Sequence, residues 1–210
     1  MGHGSCSPVL PLILCCLFIL SPGCISEIAT PAVVRTVAPV AVISTPESPV
    51  ATLPAAGMAL QVTDLPSDYH LRDRTVTAYG GIGQIFRDLG WQQGYLVTFY
   101  RLDTDIGDMT SIIQEIDIYP LDSVKDAYSL KKEALLPPDD SRTDYQVPFP
   151  RTGDRSIAWR EVRSYNNIPV VTYTVIFTKK NVYERISMTG TSTDYEVLKD
   201  LAMTAAARIQ

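Results

Sequence analysis

Beyond Cys24 the chain has no cysteine: Cys6, Cys15, Cys16 and Cys24 all stand in the first 24 of its 210 residues. Whatever folds downstream is therefore held by an apolar core and hydrogen bonds, without disulfides, thiolate nucleophiles or cysteine metal ligands. That portion has one histidine, His70, so zinc or copper chemistry finds few ligands there. Apolar residues make up 46% of the sequence, enough to build a core. The net charge of -5 argues against a nucleic-acid partner and against electrostatic docking on anionic lipid.

The clustered cysteines sit in a segment with its own logic. Residues 9 to 20 read VLPLILCCLFIL, an apolar run of 12. A membrane-spanning helix needs roughly 20 residues, so this run reads as the hydrophobic region of a secretory signal. An uncleaved short anchor is the alternative. LSPGC follows, and it resembles the lipobox of prokaryotic lipoproteins, with Gly23 and Cys24 at its last two positions. Leu20 stands one place further from the cysteine than is usual, and Pro22 occupies a small-residue position. The resemblance implies cleavage before Cys24 and a lipid on its thiol. Two acyl chains on one cysteine would anchor the protein stably. The expected partner is then the membrane, through lipid on Cys24, at the outer face of the cytoplasmic membrane.

Residues 24 to 58 are expected to form a tether. From Ile25 to Met58 the chain holds five prolines, three charges and no aromatic residue. Each proline fixes φ and removes a donor, which stops helices and central strands from running far.

From Ala59 the composition changes: all 11 tyrosines and both tryptophans lie beyond it. Strand patterns are read at Tyr69 to Thr77, Tyr95 to Leu102, Ser111 to Tyr119, Ser156 to Ser164, Val170 to Thr178 and Val182 to Thr189. In SIIQEIDIY, Ile112, Gln114, Ile116 and Ile118 share one face, and Glu115 and Asp117 point the other way. Helices are read at Gln84 to Leu89, after a Ser123–Asp126 capping box, and after a Thr193–Glu196 capping box. Val124, Ala127, Tyr128 and Leu135 trace the stripe of the middle helix; Val197, Leu198, Leu201, Ala205 and Ile209 trace that of the last. The order is β-(α)-β-β-α-β-β-β-α. Short turns between neighbouring strands imply an α+β domain, an antiparallel sheet flanked by helices.

This order, with DLPSDY at 64 to 69, EIDIYPLDSVKDAY at 115 to 128, RTGDRSIAW at 151 to 159 and YTVIFTKKNVYERISMTG at 173 to 190, resembles the PsbP-like α-β-α sandwich family, above all its small prokaryotic lipoprotein members. LKDLAMTAAARI at the C-terminus completes the likeness. It implies the sandwich fold over residues 59 to 210 and a binding or assembly role. It carries no shared catalytic motif.

Candidate sites follow from residue chemistry. Trp91, Tyr95, Phe99 and Trp159 form a candidate ligand groove, against the plainer reading of aromatic core. Asp103, Asp105 and Asp108 in DTDIGD form a weak calcium candidate. An EF-hand register fails there, because Asp108 stands where Gly is needed and Gln114 where Glu is. GGIG at 80 to 83 lacks the rest of a dinucleotide fingerprint and reads as a turn. Gly153-Asp154 reads as the turn opening a strand. Arg155, Arg160 and Arg163 beside Glu161 read as a solvated strand face or an anion- or partner-binding patch. No cofactor is expected. The leading expectation is a non-enzymatic binding or assembly module with a protein partner at the cell envelope. The alternatives are a small-molecule carrier or sensor with a pocket between sheet and helix, and, more remotely, a hydrolase.

Overall fold

The computed structural model describes residues 48, 50–103, 108–135 and 145–210. In chain order the elements are α1 (Ala55–Met58), β1 (His70–Val76), α2 (Gln84–Asp88), β2 (Gln93–Asp103), β3 (Asp108–Ile118), α3 (Val124–Leu135), β4 (Tyr145–Gln146), β5 (Arg155–Tyr165), β6 (Ile168–Lys179), β7 (Val182–Gly190) and α4 (Tyr195–Arg208). Short 3-10 turns occur at Val62–Asp64 and Tyr79–Gly81. All seven strands form one sheet in the order β1-β2-β3-β7-β6-β5-β4, each neighbour antiparallel.

Turn chemistry fixes the register. Asn166 and Asn167, at φ 50 and 65, join β5 to β6. Two consecutive left-handed residues make the kind of turn whose twist matches its flanking strands. Gly153, at φ 64, precedes β5; a Cβ there would lie 2.2 Å from the Thr178 carbonyl oxygen. Beside it Asp154 accepts a hydrogen bond from the Lys180 backbone N–H at 2.9 Å, which ties the start of β5 to the β6–β7 turn.

Each face of the sheet packs on its own set of side chains. On the first, Val97, Phe99, Ile112, Ile116, Val175, Phe177, Ile186 and Met188 meet α1 and α4. Ala202, Ala205 and Ala206 put little bulk between α4 and the strands, and Leu198, Leu201 and Ile209 fill the remaining space. Asp194 caps α4, accepting from the N–H groups of Glu196 and Val197. The cap falls one residue after the Thr193 of the predicted capping box, because the Asp194 carboxylate reaches both free donors itself. On the second face Tyr119, Val124, Ala127, Tyr128, Trp159, Ile176 and Tyr183 form a smaller cluster under α3.

The element order read from the sequence is present, but the α-β-α sandwich is not. The chain is a β-rich fold, one mostly antiparallel sheet with few helices. The physical reason is length. Strands of 11 and 12 residues run about 35 to 40 Å, whereas the 12 residues of α3 span about 18 Å. A single short helix cannot layer that face, and among the described residues no other helix covers the rest of it.

The core also begins before Ala59. Ala55 and Met58 are fully buried, the Ala51 N–H donates to Asn181 Oδ1 at 2.7 Å, and the Thr52 N–H donates to the Gln210 carbonyl at 3.0 Å. Residues 51–58, read as the end of the tether, are thus stitched to the C-terminus and to the β6–β7 turn.

Candidate functional site

Among the described residues the second face of the sheet has one half covered by α3 and one half left open. Under α3 the odd-numbered side chains of β3, Glu115 and Asp117, meet Lys131 from the helix. Lys131 Nζ lies 2.5 Å from Glu115 Oε1 and 2.5 Å from Asp117 Oδ2. Arg185 on β7 adds a second cation, with its guanidinium 2.6 Å from Glu115 Oε2. Trp91 Nε1 donates to Asp117 Oδ1 at 2.7 Å. The Lys131 ammonium also sits 4.6 Å from the centre of the Tyr183 ring, a cation–π contact. Gly94 makes room for the group: a Cβ there would meet Asp117 Oδ1 at 2.6 Å and Trp91 Cζ2 at 2.8 Å.

The two carboxyls differ in environment. Burial works against the Glu115 charge, but Lys131 and Arg185 outweigh it and hold the carboxyl below its ordinary range. Burial wins at Asp117, and the neighbouring Glu115 charge adds to it, so that carboxyl is pushed up. Burial also raises the Tyr119 and Tyr183 phenols far above their usual range, keeping them neutral. Among the described residues neither hydroxyl has a hydrogen-bond partner.

Past Leu135 the same face opens into a groove of about 360 Å3, floored by β3, β7, β6 and β5. Cross-strand hydroxyl pairs run along it: Thr172 with Thr189 at 3.0 Å, and Thr174 with Ser187 at 3.1 Å. Trp159, Ile113 and Leu135 give it apolar patches. Arg163 and Glu161, ion-paired to each other, form one wall, and Arg185 ends the groove against the buried cluster. Strand alternation carries the face on to Leu102, Met109, Tyr165 and Ile168, all large and exposed.

The aromatic residues singled out from the sequence do not share one groove. Trp91 and Trp159 belong to the α3 side; Phe99 is fully buried on the α4 side, and Tyr95 packs against that same core. The 3.6- and 2-residue patterns could not show that Trp91, in the loop before β2, lies across the sheet from Tyr95. Of the calcium candidates, Asp103 lies opposite Asp108 at the end of the β2–β3 ladder, and Asp105 lies outside the described residues. Among the described residues no cluster of three metal-ligating side chains occurs. Cys24 also lies outside the described residues. Arg155, Arg160 and Arg163 split between the two faces, with Arg163 alone of the three on the groove. His70, on the edge strand β1, packs its ring 5.7 Å from that of Tyr100.

The buried ion cluster escaped the sequence reading, although it left a signal. Lys131 falls at helical spacing inside the stripe Val124, Ala127, Tyr128, Leu135, where an apolar residue is expected. A cation in that stripe, facing Glu115 and Asp117 on a strand, is the mark of a buried pair.

No protein-family model matches the chain, and no curated protein matches it. Among the described residues no helix is long and apolar enough to cross a membrane.

Proposed function

We propose that the chain is a non-enzymatic binding domain, held at the outer face of the cytoplasmic membrane by lipid on Cys24, and that it binds through the open half of the α3 face. The observation that carries this reading is the groove itself: a preformed, hydroxyl-lined trough on a face that also carries the exposed Leu102, Met109, Tyr165 and Ile168. Its reactive groups are spoken for in ways that favour holding over chemistry. Arg185 is bound by Glu115, Arg163 by Glu161, and the threonine and serine hydroxyls by one another.

The carrier alternative calls for a closed apolar pocket between sheet and helix. That space is filled by Ile176, Tyr183 and Ala127, each fully buried, so the open groove supports the binding-module reading instead.

The test uses a Cys24→Ser protein, added back to envelope fragments from cells lacking the chain. Sedimentation with the fragments is expected, and a further Thr172→Trp change, which fills the groove, should abolish it. No fragment binding by the Cys24→Ser protein, or binding untouched by Thr172→Trp in a protein of unchanged melting temperature, would contradict the groove reading, and a Cys24→Ser chain as tightly membrane-bound in cells as wild type would contradict the lipid anchor.

A further inference from the structure

Resting on that reading, we infer that the groove takes a neutral, polyhydroxylated ligand: an uncharged oligosaccharide stretch of an envelope glycan.

The charge pattern favours a neutral ligand. Both arginines at the groove stand beside a carboxylate, Arg163 by Glu161 and Arg185 by Glu115, so the pairs carry no net charge to draw in an anion or a cation. Each guanidinium meets its carboxylate through one nitrogen and keeps further N–H groups for a ligand. A hydroxyl breaks neither pair, because it donates to the carboxylate and accepts from the guanidinium of a standing pair. The paired charges thus offer donors and acceptors side by side at no net charge.

The floor repeats that pattern without charge. In each of the pairs Thr172–Thr189 and Thr174–Ser187 one hydroxyl donates to the other, which leaves one O–H and several lone pairs per pair; Thr172, Ser187 and Thr189 are half-buried at the groove, while Thr174, 5% exposed, lies in its floor. These are amphoteric partners for a ligand that is itself a row of hydroxyls. Ile113 and Leu135, both half-buried, supply apolar contacts for the C–H faces of a sugar ring, while Trp159, 4% exposed, stays part of the α3 core.

Shape agrees with chemistry. The volume lies at the small end of the range for ligand sites, room for a few ring units. Among the described residues no helix closes the trough, so a longer chain can continue over the face. There Tyr165, 57% exposed beside the β5–β6 turn, offers a ring for stacking.

The test presents the full chain with immobilised cellohexaose, mannohexaose and chitohexaose, and with polygalacturonate as the acidic counterpart. Binding to at least one neutral hexasaccharide is expected, weakened at least tenfold in Thr172→Val and in Arg163→Met and unchanged in Arg72→Met on the edge strand. Each variant's melting temperature is measured alongside. Binding to polygalacturonate alone, binding to none of the four, or neutral binding that survives Thr172→Val in a folded protein would overturn the inference. The two proposals fail separately. If Cys24→Ser protein still sediments with envelope fragments in a Thr172-dependent way, while no neutral glycan binds or competes, the face is a binding site of another class. If neither assay responds to Thr172, both proposals fall.

Discussion

Gln114 Nε2 donates to Glu184 Oε2 at 2.9 Å in the centre of the sheet, with both residues fully buried. Gln114 Oε1 in turn accepts from the Leu60 backbone N–H at 2.8 Å, so this pair holds the segment that leads into β1. Burial pushes the Glu184 carboxyl up to about 8, against the opposing pull of the Gln114 hydrogen bond and the Arg208 charge. Its second oxygen has no partner among the described residues.

The sign of the resulting pH dependence follows. The folded state holds a proton on Glu184 that the unfolded chain releases near its ordinary value, so this stabilisation is complete below about pH 4.5 and is lost as pH rises through about 8. Urea unfolding of wild type should show stability falling between pH 5 and 8, by at most about 1.4 kcal/mol per pH unit from this group. Glu184→Gln should remove that part of the slope. An identical slope in the variant would show that Glu184 titrates normally.

Lys131 is the common partner of two carboxylates, one of them almost wholly buried. Removing only the cation leaves both acids without their ammonium under α3. Lys131→Met should therefore lower stability by about 3–5 kcal/mol, since breaking a buried pair costs more than the pair contributes. Adding Glu115→Gln and Asp117→Asn should recover much of that loss. Chemical denaturation of the single and triple variants decides the point, and additive losses would contradict it.

Gly94→Ala places a methyl group against Asp117 Oδ1 and the Trp91 ring. The indole must move, so the Trp91–Asp117 hydrogen bond should break at a cost of about 1–3 kcal/mol. Tryptophan emission should shift to longer wavelength at the same time. A stable variant with unchanged emission would mean that Asp117 and Trp91 yield to the methyl group without strain.

Trimming the N-terminus should separate tether from domain. A chain starting at Val50 should unfold at the same midpoint as the longer one. A chain starting at Ala59 loses the buried Ala55 and Met58 and should be destabilised by about 2–5 kcal/mol. Equal midpoints for the two would place the boundary where composition alone suggests it.

What the sequence disclosed and what it hid have physical causes. Period-2 alternation in SIIQEIDIY and the helical stripe ending in Ile209 are local, and both elements stand within a few residues of their predicted bounds. Residues 51–58 read as tether because Pro49 and Pro54 suppress regular structure, while their burial depends on contacts with Asn181 and Gln210, over 100 residues away. The groove was hidden for the same reason. Thr172, Ser187 and Glu161 each look like the polar side of an alternating strand, and only pairing across β5, β6 and β7 brings them together. The expected sandwich counted helices without asking how much of a 12-residue strand a 12-residue helix can cover.

The most direct test of the whole account is a photocrosslinking scan of the full chain in intact cells, with the reactive residue placed in turn at Arg163, Tyr165, Thr172 and Thr189 on the open face, and at Val76 and Tyr79 away from it. The account predicts envelope adducts at the first four positions and none at the last two. Adducts at Val76 or Tyr79 with none in the groove would contradict it and move the working surface to the β1 edge.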